Sequence, residues 1–182
     1  AIKAIEVKDH YTGGHSDRVA APALEISEKL KVDYSKMDIE FAAKLHDLGK
    51  IGISEKILVK PSSLEKEEME EIRKHPELGA QILAPLSLFA HLVPVIRHHH
   101  EHYDGTGHPD KLAGDSIPLL SRIISVADTF DALTSERPYR KALDMDKALE
   151  IIRRERYSQF DPMVVDAFLS LPKYLLRQLR VS

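Results

Sequence analysis

The sequence predicts an all-α fold. The apolar residues recur mostly with helical periodicity, and the alternation that half-buried strands show is scarce. With 182 residues, of which 43% are hydrophobic, the chain is long enough for one sizeable core. No internal repeat, low-complexity tract or long linker interrupts it. We therefore expect residues 1–182 to form a single domain, a bundle of about seven to nine helices.

The first half of the chain contains most of the predicted short elements. Residues 16–30 repeat apolar side chains at helical spacing, and the next helix carries Ile39, Ala42 and His46 on one face and ends near Gly49. The elements predicted after it are a connector at 51–61, an acidic helix at 65–74, a helix from Pro76 that carries Leu78, Ile82 and Leu83, and a helix at 88–100 that Pro94 kinks.

The second half begins with a loop at residues 104–109, which is rich in glycine and polar residues. Residues 119–133 then predict a strongly apolar helix that carries Asp128 and Asp131. Three shorter helices are predicted to complete the bundle, at residues 146–154, 162–169 and 173–180.

Composition excludes several kinds of protein. The formal net charge of −3 provides no basic field for a nucleic-acid polymer. The absence of cysteine excludes disulfides, thiolate zinc sites and cysteine nucleophiles, and it is compatible with a cytoplasmic location. No apolar stretch approaches the ~20 residues of a membrane span, so we expect no membrane contact by this domain. Because the chain starts at Ala1, we expect it to be part of a longer protein, which could itself be attached to a membrane.

The adjacent pair His46-Asp47 indicates a metal centre. It lies in an otherwise helix-forming, largely apolar run, where an imidazole and a carboxylate are costly to bury without a partner such as a metal ion. Adjacent residues diverge by about 100° around a helix, so Asp47 could bridge two ions while His46 binds one of them. The supply of further nitrogen and carboxylate ligands exceeds what one ion needs: His15, His75, the run His98-His99-His100-Glu101, and Asp128. Ligands without sulfur suit iron, manganese, zinc or nickel.

A carboxylate-bridged metal pair suits phosphoester hydrolysis, because it holds phosphate oxygens and activates water. Lys50 would lie close to such a pair and could neutralise the phosphate, or it could simply cap the end of its helix. Asp131 lies three residues after Asp128 on the same helix face. It could orient a ligand histidine, relay a proton, or serve only as a buried hydrogen-bond acceptor.

The segment Arg137-Pro138-Tyr139-Arg140-Lys141 offers three cations around a tyrosine. Arginine forks match phosphate geometry, so the segment could clamp a charged ligand that carries a base. The alternative interpretation is a solvated run of charge.

Taken together, these motifs resemble the HD-GYP domains of the HD phosphohydrolase family. His46-Asp47 with Lys50 is similar to the HD core, and His99-His100-Glu101 followed by the loop from Asp104 to Pro109 is similar to the HHExxDGxGYP segment. The resemblance extends from about Lys8 to Phe168, and its other matching segments are Lys8 to Ser16, Ile117 to Leu119, Val126 to Thr134, and Arg137 to Arg140.

The resemblance implies a helical HD-domain bundle that hydrolyses cyclic di-GMP to the linear dinucleotide pGpG, to GMP, or to both. It implies a centre of divalent metal ions, with iron favoured, whose ligands are His46, Asp47, His75, His99, His100 and Asp128, with His15 as a further histidine on the metal side. It also implies that Lys50, Asp47 and Asp131 are catalytic-site residues and that Arg137 and Arg140 contact substrate phosphates. The domain would be the output domain of a signalling protein.

Two positions depart from the family pattern. In the GYP-like loop Gly107-His108-Pro109, a histidine replaces the tyrosine. Tyr11 occupies a position where some trinuclear members carry a glutamate, so we expect two metal ions rather than three. Alternatives are hydrolysis of another cyclic dinucleotide or nucleotide phosphoester, and a non-catalytic module that senses cyclic di-GMP or docks a protein partner through the GYP-like loop. A homodimer is compatible with the sequence.

Overall fold

The computed structural model describes residues 14–60, 62–136 and 141–179, and these ranges are helical without a β-sheet. The all-α prediction is therefore confirmed. The helices are α1 (His15–Leu30), α2 (Lys36–Leu45), α3 (Glu55–Leu58), α4 (Lys66–Ile72), α5 (His75–Leu83), α6 (Val93–Arg97), α7 (Leu119–Thr134), α8 (Met145–Arg154), α9 (Pro162–Leu169) and α10 (Lys173–Leu179), with 3₁₀ helices at Leu48–Gly52, Ser87–Leu92 and Gly114–Ser116. Within these ranges, eight of the α-helices have seven residues or more.

Helix α7 is the centre of the bundle. Eleven of its 16 residues are buried, so it is apolar on nearly all sides, as a helix surrounded by others must be. It packs against α1, α2, α8 and α9, and the ring of Phe130 meets that of Phe168 edge to face. Side chains from these helices form the main hydrophobic core. A smaller apolar cluster of Leu45, Leu48, Leu83 and Ile96 supports the elements that follow α2.

Helices α2 and α9 begin at side-chain caps that the sequence encodes. Ser35 Oγ accepts a hydrogen bond from the Asp38 backbone N–H at 3.0 Å, and Asp38 accepts one from Ser35 in return, which is a capping box at the start of α2. Asp161 caps α9 by accepting from the Met163 backbone N–H at 2.7 Å, and Pro162 fits the first turn because its missing N–H needs no partner there.

The structure differs from the sequence predictions at three points. Residues 88–100 form a 3₁₀ helix followed by α6, rather than one kinked helix, because Pro94 sits in the first turn of α6, where it is tolerated. Helix α2 stops at Leu45, so His46 and Asp47 lie at its end rather than within it. The predicted connector at 51–61 contains the short helix α3. None of the helices in the described ranges has the length and hydropathy that crossing a membrane requires.

Candidate metal centre

The candidate site lies where the ends of four helices meet α7. His15 is the first residue of α1, His46 follows α2, and His75 is the first residue of α5. His99 and His100 follow the end of α6, and Asp128 projects from α7. Helix ends leave backbone carbonyls without intrahelical partners, and three of the histidines use such carbonyls for their own orientation.

Each of these three buried histidines is fixed by a hydrogen bond to the carbonyl three residues before it. Nδ1 of His46 lies 2.6 Å from Ala43 O, Nδ1 of His75 lies 2.8 Å from Ile72 O, and Nδ1 of His99 lies 2.6 Å from Ile96 O. A carbonyl only accepts hydrogen bonds, so each Nδ1 carries the proton and each neutral ring keeps its lone pair on Nε2. This is the arrangement in which an imidazole can bind a metal.

The Nε2 atoms then need a positive partner. Nε2 of His75 and Nε2 of His99 lie only 3.3 Å apart, although both carry lone pairs in these tautomers. Nε2 of His46 is buried and has no hydrogen-bond partner. Because unpaired buried polar atoms are costly, these positions fit a bound cation. The residues present therefore suit the metal ions that the sequence predicts.

His15 is held by a carboxylate instead of a carbonyl. Its Nδ1 lies 2.7 Å from Asp131 Oδ2, and its Nε2 lies 3.5 Å from Asp128 Oδ1. A carboxylate behind a histidine is a common way to orient a metal ligand. Asp131 thus lies behind His15, which favours the orienting role among those that the sequence left open.

Asp47 lies between two sets of histidines. Its Oδ1 is 3.3 Å from His75 Nε2, while its Oδ2 is 3.5 Å from His46 Nε2 and 3.7 Å from His15 Nε2. Lys50 Nζ contacts the same Oδ2 at 2.8 Å. The two oxygens therefore face opposite sides of the site, as a bridging carboxylate requires.

The described residues form three groups whose ligand atoms lie within 4.8 Å of one another around this carboxylate. They are His75 with His99 and His100, His15 with His46 and Asp128, and His46 with Asp47 and His99. All seven side chains that were predicted as ligands are thus brought together, and Lys50 and Asp131 lie beside them.

The pKa values of several of these side chains are shifted in the direction that favours cation binding. Burial, followed by the neighbouring imidazoles, lowers the pKa of His99 and that of His100 well below the usual value. Burial opposes ionisation of Asp47, but Lys50 and the surrounding histidines hold the pKa of its carboxyl well below its usual range. His99 and His100 are therefore neutral imidazoles at neutral pH, and Asp47 is an ionised carboxylate.

We expect the metal-free protein to lose stability as the pH falls below about 6.5, the usual histidine pKa. In the unfolded chain His99 and His100 take up protons there, whereas in the folded protein their lowered pKa keeps them neutral. Each contributes a loss of up to about 1.4 kcal/mol per pH unit. His15 acts in the opposite direction: burial lowers its pKa, but the carboxylates around it raise the pKa above its usual value overall.

Urea unfolding of the chelator-treated protein at about pH 7.5 and about pH 5.5 measures this dependence. Replacing His99 and His100 with glutamine should flatten it. A free energy of unfolding that is unchanged or larger at the lower pH would contradict the assignment of neutral, buried imidazoles.

The GYP-like loop folds back onto the ligand histidines. The Glu101 carboxylate is buried and accepts the backbone N–H of Asp110 at 2.7 Å, and Asp110 in turn pairs with Arg97 at 2.7 Å and with His98 at 2.8 Å. A methyl group at Gly107 would lie 2.2 Å from the His102 backbone nitrogen, so only glycine allows this approach. His98, Glu101 and Asp110 form a fourth group of potential ligands, in which Asp110 already pairs with Arg97.

His108, which replaces the tyrosine of the motif, stacks on His100. The two rings are 5.2 Å apart and 13° from parallel, and the His108 N–H bonds to the His100 carbonyl at 3.2 Å. Burial, with a contribution from Arg73, lowers the pKa of His108 to about 4. His108 thus packs a neutral aromatic ring against a predicted metal ligand.

The comparison with protein families decides the fold family. The sequence matches the model of the HD domain family over residues 1–164, which is most of the chain. The chain belongs to the HD domain family. This confirms the HD domain that the sequence motifs predict, and the relatives of the chain agree with the HD-GYP resemblance.

Two curated relatives of this HD domain are each 42% identical to it. One is the cyclic di-GMP phosphodiesterase response regulator RpfG of Xanthomonas campestris pv. campestris, matched over 92% of this chain and 45% of its own length. The other is the 3'3'-cGAMP-specific phosphodiesterase 3 of Vibrio cholerae serotype O1, matched over 95% of this chain and 37% of its own length. The chain thus spans less than half the length of both relatives.

A solved structure supports the fold. The crystal structure of a cyclic GMP-AMP specific phosphodiesterase of V. cholerae superposes with a TM-score of 0.74 and 21% sequence identity. The match covers 98% of this HD domain and 49% of that chain. At this level of identity the likeness concerns the fold alone.

The sequence interpretation missed one contributor to the HD site and assigned two that lie outside the described residues. Arg18 contacts Asp131 directly, and its position one turn after His15 on the same helix face was a signal that could have revealed it. Arg137 and Arg140, the predicted phosphate contacts, fall outside the described residues, as does Tyr11.

Proposed function

We propose that this HD domain is a metal-dependent phosphodiesterase that hydrolyses cyclic di-GMP. The observation that carries the proposal is the position of Asp47, whose two carboxylate oxygens face separate histidine groups 3.3 to 3.7 Å away. A carboxylate in this position could bridge two metal ions, and such pairs are suited to phosphoester hydrolysis. The names of the curated relatives supply the substrate class, cyclic dinucleotides.

In this proposal two divalent ions are held around Asp47. His46, His15 and Asp128 serve one side, and His75, His99 and His100 serve the other. Bound ions would supply Lewis-acid stabilisation of phosphate oxygens and an activated water. Imidazole and carboxylate ligands without sulfur suit iron, manganese, zinc or nickel, and the HD-GYP resemblance makes iron our first choice.

Lys50 is proposed to neutralise negative charge on the phosphate. Its ammonium group lies 2.8 Å from Asp47, at the carboxylate that the two sides share. A fixed cation that faces the position where charge develops stabilises the transition state more than the ground state. Asp131 is proposed to act through His15, because its carboxylate lies behind that ring.

Hydrolysis would add water across one phosphodiester bond. A new bond forms between water oxygen and phosphorus, the bond from phosphorus to the 3′ oxygen breaks, and the leaving oxygen takes a proton. The product is the linear dinucleotide pGpG, and a second round yields GMP. Arg137 and Arg140 remain the proposed contacts to the other phosphate.

The test is anaerobic turnover by protein loaded with Fe(II) or Mn(II), with the metal content counted in the same sample. Cyclic di-GMP and 3'3'-cGAMP are supplied separately and in competition, because relatives with either specificity are equally similar to this chain. We expect cyclic di-GMP to be hydrolysed by protein with about two metals per chain. Chelator-treated protein is the control and should yield no product.

The other outcomes are distinct. Preferential hydrolysis of 3'3'-cGAMP would move the assignment to that substrate while keeping the chemistry. Tight binding of cyclic di-GMP by fully loaded protein without product would favour the sensor or docking module instead. Fully loaded protein that neither binds nor hydrolyses either compound would reject the proposal.

We also propose that the chain is one HD-GYP domain, the output domain of a longer signalling protein in the cytoplasm. The relatives' greater length supports a larger parent protein. A homodimer, and a protein partner bound at the GYP-like loop, remain predictions from the sequence.

A further inference from the structure

Asp131 receives more hydrogen bonds than orienting one histidine requires. Its carboxylate is buried and accepts three side-chain donors: His15 Nδ1 at 2.7 Å, Arg18 Nε at 2.5 Å and Ser135 Oγ at 2.9 Å. His15 and Arg18 bind different oxygens, Oδ2 and Oδ1. Each end of the carboxylate therefore has its own donor, and its plane is fixed between α1 and α7.

Arg18 contacts Asp131 Oδ1, whereas Oδ2 contacts the ring of His15, whose other nitrogen lies 3.5 Å from Asp128. A carboxylate held by His15 alone could rotate about its last side-chain bond, since the terminal torsion of aspartate is broad. The guanidinium opposes this rotation together with Ser135 Oγ, which donates to the same Oδ1, and the hydrogen bond from Arg18 is the charged and shorter one of the two. Fixing Oδ1 also fixes Oδ2, and Oδ2 determines which nitrogen of His15 carries its proton.

We propose that Arg18 is a positioning residue of the metal centre, which acts through Asp131 to aim His15 Nε2 at Asp128 and Asp47. The inference rests on the metal centre of the proposed function. It assigns to Arg18 a role in one side of that centre, the side with His15, His46 and Asp128, and none in the side with His75, His99 and His100.

A simpler interpretation is that Arg18 and Asp131 only join α1 to α7. The two interpretations differ in what the pair should affect. A structural ion pair would lower the free energy of unfolding and leave metal binding by the folded protein unchanged. A positioning pair should change the affinity and spectrum of the metal on one side, and the effect of Arg18 should disappear when Asp131 is replaced.

The experiment is a Co(II) titration of the intact chain, followed by visible absorption. It compares the original protein with R18Q, D131N and the double variant R18Q/D131N. R156Q is the matched control, because Arg156 pairs with Asp166 at the same 2.5 Å but far along the chain from the ligands. Urea unfolding of each metal-free variant shows that the titrated protein is folded.

We expect R18Q to weaken one of two Co(II) equivalents by about tenfold or more and to change its absorption band, as loss of a group behind a ligand typically does. The other equivalent should bind as before. In the D131N background, R18Q should change the Co(II) affinity less than about twofold, because the carboxylate through which Arg18 acts has already been removed. R156Q should bind like the original protein.

Three results would overturn the inference. In the first, R18Q binds both Co(II) equivalents like the original protein. In the second, R18Q binds both equivalents more weakly. In the third, R18Q and D131N lower the affinity independently, so that their fold-changes multiply in the double variant. Absence of Co(II) binding by the original protein would instead reject the metal centre itself, and with it the function on which this inference rests.

Discussion

Replacing Asp47 with alanine is expected to abolish both metal binding and turnover. Its two oxygens are the only ones in the described residues that face His75 on one side and His46 with His15 on the other. Without the carboxylate, the six remaining potential ligands would form two incomplete groups, His75 with His99 and His100, and His15 with His46 and Asp128. The Lys50 ammonium, which now lies 2.8 Å from Asp47, would then repel any bound cation.

The measurement is the metal content after loading, together with turnover of cyclic di-GMP. D47N serves as a second variant that preserves the volume of the side chain, and unfolding in urea shows whether each variant is folded. The control is D17A, because Asp17 is exposed and pairs only with Lys44 at 2.8 Å in the described structure. A folded D47A protein that kept both its metal and its activity would rule out Asp47 as the bridge.

The sequence was sufficient for the fold class and for the seven histidine and aspartate side chains that the fold brings together. The pattern of apolar residues predicts a long helix such as α7. The residues of the HD and HHE motifs are an unusual combination, so they can be recognised from the sequence alone. The sequence could not show how those residues converge. His15, His46 and His75 all lie at helix ends, where pattern reasoning is least accurate, because the end of a helix is decided by capping and packing.

The sequence also could not show which side chains meet when they are far apart along the chain or are brought together by a loop. The hydrogen bond between Arg18 and Asp131 joins residues 113 positions apart, and the stacking of His108 on His100 depends on how the loop folds back. The orientation of each ligand histidine by a carbonyl was also invisible, although its regular spacing of three residues follows from the geometry of a helix end. Periodicity reports which face of a helix is buried, but not which side chain it meets.

Replacing Gly49 with alanine should disrupt the site without removing any ligand. A methyl group there would lie 1.8 Å from the His75 carbonyl oxygen and 2.5 Å from the Gly79 nitrogen, so backbone must separate from backbone. Gly49 follows Asp47 by two residues, and His75 begins α5. The change therefore pushes the segment of Asp47 and Gly49 away from the start of α5. Asp47 Oδ1 and His75 Nε2, which now lie 3.3 Å apart, would separate with them. We expect a loss of about 3 kcal/mol in the free energy of unfolding, at the upper end for an overpacked core.

Turnover should fall further than stability alone explains, since a shift of about 1 Å in a catalytic group can cost on the order of 10²-fold in rate. G52A is the matched control: it lies in the same 3₁₀ helix, but its methyl group would meet only the flexible end of Leu78 at 3.0 Å. Unfolding in urea, metal content and turnover are compared under conditions where both variants are folded. If G49A behaved like G52A in all three, the close approach of Gly49 to α5 would have no part in holding the two sides of the centre together.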